Sequence, residues 1–155
     1  MSKMIPLAML MLFALTAEAQ LQKILHQSFE LEEINAINLD LHGEYEIEKW
    51  AGNTILTETS VQLYDANPNI LKFLVKSGRY EIESKGNTGA FNLTSKDKER
   101  RSIKTKDGEC FEFVNLKIFV PEDFDIVSNK NLKRVIEADT KVDATTTTTK
   151  PNEDN

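Results

Sequence analysis

Reactive side chains are scarce in this sequence. It carries one cysteine, Cys110, and two histidines, His26 and His42, in 155 residues. One thiol cannot close an internal disulfide, so the fold must be held by its apolar core. Cys110 stands beside Phe111 and near Phe113 and reads as a small buried hydrophobe; the competing reading is a reactive or intermolecular thiol. Neither histidine has a second ligand at metal spacing. Gly-x-Ser-x-Gly and phosphate-cradling glycine loops are absent. Ser95-Lys96-Asp97-Lys98 matches Ser-x-x-Lys but lies in a polar run, without the helix or partner motifs that activate such a serine. The expectation is a non-enzyme with no catalytic residue, no metal site and no cofactor. A basic surplus is missing too: 19 Lys and Arg face 25 Asp and Glu, a net charge of -6. Affinity for nucleic acid comes mostly from cations that neutralise phosphates, so no nucleic-acid partner is expected. No repeat of fixed period is visible.

The two ends differ in composition from the middle. Residues 1–19 read as a signal peptide, with Lys3 as the positive region and Ile5 to Leu15 as a short apolar stretch. Ala17-Glu18-Ala19 is a small-x-small cleavage site that leaves Gln20 first. The alternatives are an uncleaved anchor or a buried N-terminal helix. A bilayer span needs about 20 apolar residues, and no later run reaches that length, so the cleaved chain is expected not to be transmembrane. It is expected to be exported to the periplasm, the outer envelope surface or the medium. Residues 139–155 hold a run of five Thr and almost nothing apolar. Such a segment buries too little to offset the entropy of ordering it and reads as a disordered tail, or as a stalk or linker. One domain, residues 20–138, lies between.

Within it, alternation dominates. Ile55, Thr57, Thr59, Val61 and Leu63 share one face of a strand, and a slip of one residue would turn them all into water. Ile37, Leu39 and Leu41 alternate with polar residues, as do Tyr45 and Ile47 with Glu44, Glu46 and Glu48. These three runs, from Phe29 to Tyr64, are expected to form the first sheet, with Trp50 covering an edge and Gly52 supplying a positive φ in the turn. Leu21 to Leu31 reads as a preceding strand. Asn67-Pro68 opens a short helix closed by Gly78; Ile70, Leu71, Phe73, Leu74 and Val75 form its docking stripe. Strands are expected at Arg79–Ser84, around Phe91 and Leu93, at Cys110–Val120 and from Phe124. In Cys110–Val120, Val114, Leu116, Ile118 and Val120 lie on one face and Phe111, Phe113 and Phe119 on the other, which predicts a central strand covered on both sides. The fold class is mainly β: stacked antiparallel sheets, or a short solenoid or sandwich, with one docked helix.

Two polar clusters compete as sites. Glu44, Glu46 and Glu48 form an acidic row that either binds a divalent cation or, more simply, stays solvated. Lys96, Lys98, Arg100, Arg101, Lys104 and Lys106 crowd one loop. They form the candidate surface for an anionic glycan or lipid headgroup, against the plainer reading of a solvated loop.

The succession of Glu-Tyr-Glu-Ile-Glu-Lys-Trp-Ala-Gly-Asn-Thr-Ile (44–55), Tyr80-Glu81-Ile82 and Val120-Pro121-Glu122-Asp123-Phe124 resembles the exported adhesin-like domain family of Gram-negative bacteria, similar to auto-transporter adhesin heads. The resemblance spans most of Phe29 to Ile126. It implies β-solenoid rungs or stacked sheets, an adhesin-like role with an envelope or extracellular partner, and no catalytic residues. The family continues past the Val-Pro turn with glycine-punctuated strands; Ser128 to Leu132 has no glycine, so this chain departs from the family there. The two functional expectations are a non-enzymatic interaction module and a small periplasmic binding protein for an apolar or lipidic ligand. An exposed sheet edge favours the first, and an internal cavity favours the second.

Overall fold

A computed structural model describes residues 20–136 apart from 88 and 107. The expected signal peptide with Ala17 and Ala19, and the Thr-rich tail, lie outside the described residues; Gln20 is the first of them. The chain is mainly β, with two mixed sheets, one short helix and a sandwich-like arrangement. The first sheet contains β1 (Leu21–Phe29), β3 (Tyr45–Trp50), β4 (Ile55–Tyr64) and β8 (Gly108–Pro121), in the order β1-β4-β8-β3, with the short β7 (Ile103–Thr105) also paired to β8. The second contains β2 (Ile34–Asp40), β5 (Ile82–Asn87), β6 (Gly89–Ser95), β9 (Phe124–Ser128) and β10 (Asn131–Arg134), in the order β5-β6-β2-β10-β9. Each sheet adds one parallel pair, β3 with β8 and β2 with β6, to its antiparallel ladders.

The register of β4 is the one its alternation demands. Ile55, Thr57, Thr59, Val61 and Leu63 are all buried and the residues between them are not. The buried row is covered by two different elements. At the Ile55 end, Ile55, Leu116, Ile118 and Val120 meet Ile37, Leu39, Leu93, Phe124 and Leu132 of the second sheet. At the other end, Val61 and Leu63 meet Leu71 and Leu74 of α1 (Pro68–Lys76), together with Tyr80. Burying a Leu side chain contributes about 1.5–3 kcal/mol, which is what a helix this short needs. Its start is fixed by Asn67, whose Oδ1 accepts from the N–H groups of Asn69 at 3.0 Å and Ile70 at 3.2 Å. Pro68 occupies the first turn, and Gly78, at φ +78°, follows the C-cap Ser77.

Five expectations change. The run Phe29 to Tyr64 does not form one sheet: β2 joins the second sheet, and β8 inserts between β3 and β4. Alternation dictates which face of a strand is buried, but not which strand it pairs with. Phe73 leaves the docking stripe and is 69% exposed, because the contact face of α1 is centred on Leu71 and Leu74. Gly52 is not needed for a positive φ; it is needed because the Trp50 ring lies on it, and an added Cβ would sit 2.2 Å from that ring. β8 is central but covered on one face only, with Phe111 58% and Phe113 62% exposed. Tyr80 precedes β5 rather than lying in it, yet it and Ile82 are buried as their pattern required. Cys110 is buried, its Sγ 3.0 Å from the Asp65 carbonyl oxygen.

Candidate functional site

The basic loop follows β6 and is built around Arg79 and Asp97. Asp97 Oδ1 accepts from the backbone N–H groups of Arg100 at 2.9 Å and Glu99 at 3.2 Å, and the first of these holds its carboxyl below the usual range. Arg79 donates to Glu112 through Nε at 3.1 Å and Nη2 at 2.7 Å, and to the Arg101 carbonyl at 2.7 Å. Burial works against the Arg79 charge, but Glu112 more than offsets it, so its pKa is raised. The Tyr80 hydroxyl donates to the same carboxylate at 2.9 Å, and burial and the Glu112 charge push its pKa upward.

The six sequence-expected cations are deployed separately. Lys96 pairs with Glu81 at 2.7 Å, Lys98 pairs with Asp40, and Arg101 pairs with Glu99 at 2.7 Å. Arg100 stacks its guanidinium 5.6 Å from the Tyr80 ring centre, with a buried Nε that finds no hydrogen-bond partner and a pKa lowered by burial. Lys104 lies on β7 and Lys106 in the turn after it, both exposed. Only Lys96, Lys98 and Arg101 of the six line a common cleft, of about 540 Å³, and Asp97 and Glu99 line it with them. Three of the six cations, Lys96, Lys98 and Arg101, are therefore already answered by carboxylates of the same chain.

Sequence reasoning missed the Arg79–Glu112–Tyr80 network, although a signal was present. Glu112 stands in phase with Val114, Leu116 and Ile118, and a carboxylate on a buried face requires a partner. Gln27 carries the same signal on β1. Its amide accepts from Ile82 N–H at 2.8 Å and donates to the Ile82 carbonyl at 3.0 Å, tying the edge of the first sheet to the start of β5.

The outer face of the first sheet is of another kind. Tyr64 and Phe113 meet edge to face at 5.6 Å, and Trp50 and Phe119 meet tilted at 6.5 Å. Trp50 Nε1 donates to the Thr54 carbonyl at 2.9 Å, which fixes its ring. Between the two aromatic pairs runs a charged belt. Lys117 sits 2.8 Å from Glu48 and 3.5 Å from Glu46, and its pKa is raised chiefly by the Glu48 hydrogen bond. His26 lies 3.0 Å from Glu58. The acidic row is thus partly spent on Lys117, and among the described residues no group of three or more His, Cys, Asp or Glu converges as a metal site would require.

At one end of this face a cleft of about 450 Å³ is lined by Glu44, Tyr45, Glu46, Ser60, Gln62, Phe113, Val114 and Asn115. Its cause is a difference in strand length. β4 pairs β8 from Phe111 to Phe119, whereas β3 pairs it only from Leu116 onward and β7 only up to Cys110. Phe111 to Asn115 therefore pairs on one side alone. Among the described residues no helix is long and apolar enough to cross a membrane. No protein-family model, no curated protein and no solved structure matches the chain.

Proposed function

We propose that this chain is a non-enzymatic, exported interaction module of adhesin-like character, and that it meets its partner through the outer face of the first sheet. The observation that carries this reading is the bare aromatic half of β8. Phe111 and Phe113 are both more than half exposed on a central strand, beside an unpaired sheet edge. Single exposed hydrophobes are ordinary, but two rings in a row on a one-sided strand are a liability that a chain keeps for contact. The resemblance to the adhesin-like family rests on the strands and turns quoted above and agrees with this reading.

One observation favours a small binding protein for an apolar or lipidic ligand. Ile70, Phe73, Leu74 and Ile103 line a cleft of about 360 Å³ between α1 and β7. It ranks second because the cleft is a surface groove, while the positions between the sheets, such as Ile118, Val120 and Phe124, are filled to 0% exposure. An anionic glycan at the basic loop has less support, since Lys96, Lys98 and Arg101 already hold carboxylates.

The test is a photoreactive p-benzoylphenylalanine placed at Phe113 or at Val127, which is 66% exposed on the second sheet, in the full chain expressed in its own cell. Adducts at position 113 and none at 127 are expected. Equal labelling at both positions, or none at 113, overturns the reading. Native mass spectrometry that finds a stoichiometric lipid promotes the second reading instead.

A further inference from the structure

The open stretch of β8 fits one kind of occupant. We propose that Phe111–Asn115 accepts, by strand addition, a short extended segment of a partner polypeptide that places an apolar residue against Phe113 and a basic residue toward Glu44 and Glu46. This deepens the interaction-module reading and rests on it.

The backbone comes first. In the order β1-β4-β8-β3, the side of β8 away from β4 belongs to β3, and β3 begins only at Tyr45 opposite Leu116. Among the described residues no backbone hydrogen bond joins Phe111–Asn115 to anything but β4. The free edge is five residues long, about 17 Å at the usual rise per residue. An added strand there would satisfy N–H and C=O groups that now face solvent, which is how extended peptides are commonly recognised at sheet edges.

The side chains then select. On the outer face the added strand would run beside Phe113, whose ring is braced by Tyr64 and largely exposed. The cleft lining adds Ser60, Gln62 and Asn115 as hydrogen-bonding neighbours, and Glu44 and Glu46 as its only charges. Glu44 makes no ion pair among the described residues, and Glu46 holds Lys117 only at 3.5 Å. A cationic side chain is therefore the complementary one, and an acidic segment is repelled.

A second copy of this chain does not fit the slot. In any antiparallel register that overlaps the two Phe111–Asn115 stretches, the second β8 runs into the place that β3 holds against Leu116–Pro121 or that β7 holds against Gly108–Cys110. Only a segment free to turn away after a few residues can enter.

The experiment uses the full chain, ¹⁵N-labelled, with a blocked peptide Lys-Phe-Lys-Val-Lys-Val as probe. Three controls accompany it: the same peptide with Glu for Lys, the same peptide with alternate backbone nitrogens methylated, and the variant Glu44→Lys with Glu46→Lys. Strand addition is expected to slow amide exchange within residues 111–115. Methylation or Glu replacement in the peptide should abolish the effect, and the double variant should weaken binding about tenfold. The inference is overturned by unchanged exchange at 111–115, by equal binding of the methylated peptide, by preference for the Glu peptide, or by concentration-dependent self-association that protects the same amides without peptide. The two readings fail separately. Photo-adducts at position 113 without amide protection leave an interaction surface that is not a strand acceptor, whereas absence of adducts removes the surface itself.

Discussion

β8 carries large apolar side chains on both of its faces, and they meet opposite fates. On one, Leu116, Ile118 and Val120 are sealed between the sheets; on the other, Phe111 and Phe113 stand in solvent while Phe119 leans on Trp50. Both faces carry apolar residues at every second position over part of the strand, Val114 to Val120 on the inner face and Phe111 and Phe113 on the outer, where Asn115 and Lys117 interrupt the row before Phe119. Periodicity specifies that side chains share a face, and burial further requires that another element arrive to cover it. The second sheet and α1 cover the inner face, whereas nothing among the described residues covers the aromatic half of the outer one.

Deleting an apolar side chain from each face tests directly whether coverage sets its worth. Ile118→Ala removes a fully buried branched residue where both sheets meet and is expected to cost about 4 kcal/mol, measured by urea denaturation. A loss under about 1 kcal/mol would mean that the sandwich core is loosely packed.

Next in size is Glu112, the one carboxylate on the inner face of β8. Glu112→Ala leaves the Arg79 guanidinium, only 9% exposed, with Asp97 at 3.3 Å as its remaining anion. Breaking such a pair from one side costs about 3 kcal/mol. Replacing Arg79 and Glu112 together by Met and Leu should recover part of that loss, because the pair is then removed rather than orphaned.

Much of this architecture was legible in the residues. The rows in β4 and β8, the Asn67-Pro68 start and the Gly78 stop of α1 follow from local patterns. The exchange of β2 into the second sheet was not legible, because its partners, β6 and β10, come later in the chain and strand pairing is a long-range choice. The candidate site was only half visible. The basic run Lys96 to Lys106 is plain in sequence, as is Glu99 beside Arg101, but two of the carboxylates that answer it lie elsewhere: Glu81 is 15 residues from Lys96, and Asp40 is 58 from Lys98. The strand-accepting edge was hidden altogether, since an open edge results from the unequal lengths of β3, β4 and β8 rather than from any residue pattern.

Tyr80 gives a smaller and pH-dependent handle on the inner face. Its hydroxyl pKa is raised in the folded chain by burial and the Glu112 charge, so the native state holds that proton more tightly than the unfolded chain does. Its contribution is then fully present below the ordinary tyrosine value of about 10 and is lost as the pH rises above it. Alkaline unfolding should begin above about pH 10, and Tyr80→Phe should flatten that limb at a cost of about 1.5 kcal/mol near neutrality. An unchanged alkaline limb would show that another group governs it.

The smallest expected change in stability belongs to the outer face, where it is the most informative. Phe113→Ser removes a ring that is 62% exposed and touches chiefly Tyr64. Its effect on the denaturation midpoint should stay within about 0.5 kcal/mol. Residue for residue this is a larger deletion than Ile118→Ala, so the two results together measure coverage rather than side-chain size. If Phe113→Ser instead destabilises the chain by about 2 kcal/mol or more, the outer aromatic pair belongs to the core, and the proposed surface is structural. If stability holds while photo-crosslinking through the neighbouring Phe111 position is lost, the ring is kept for a partner, because its removal then costs the fold almost nothing and the contact nearly everything.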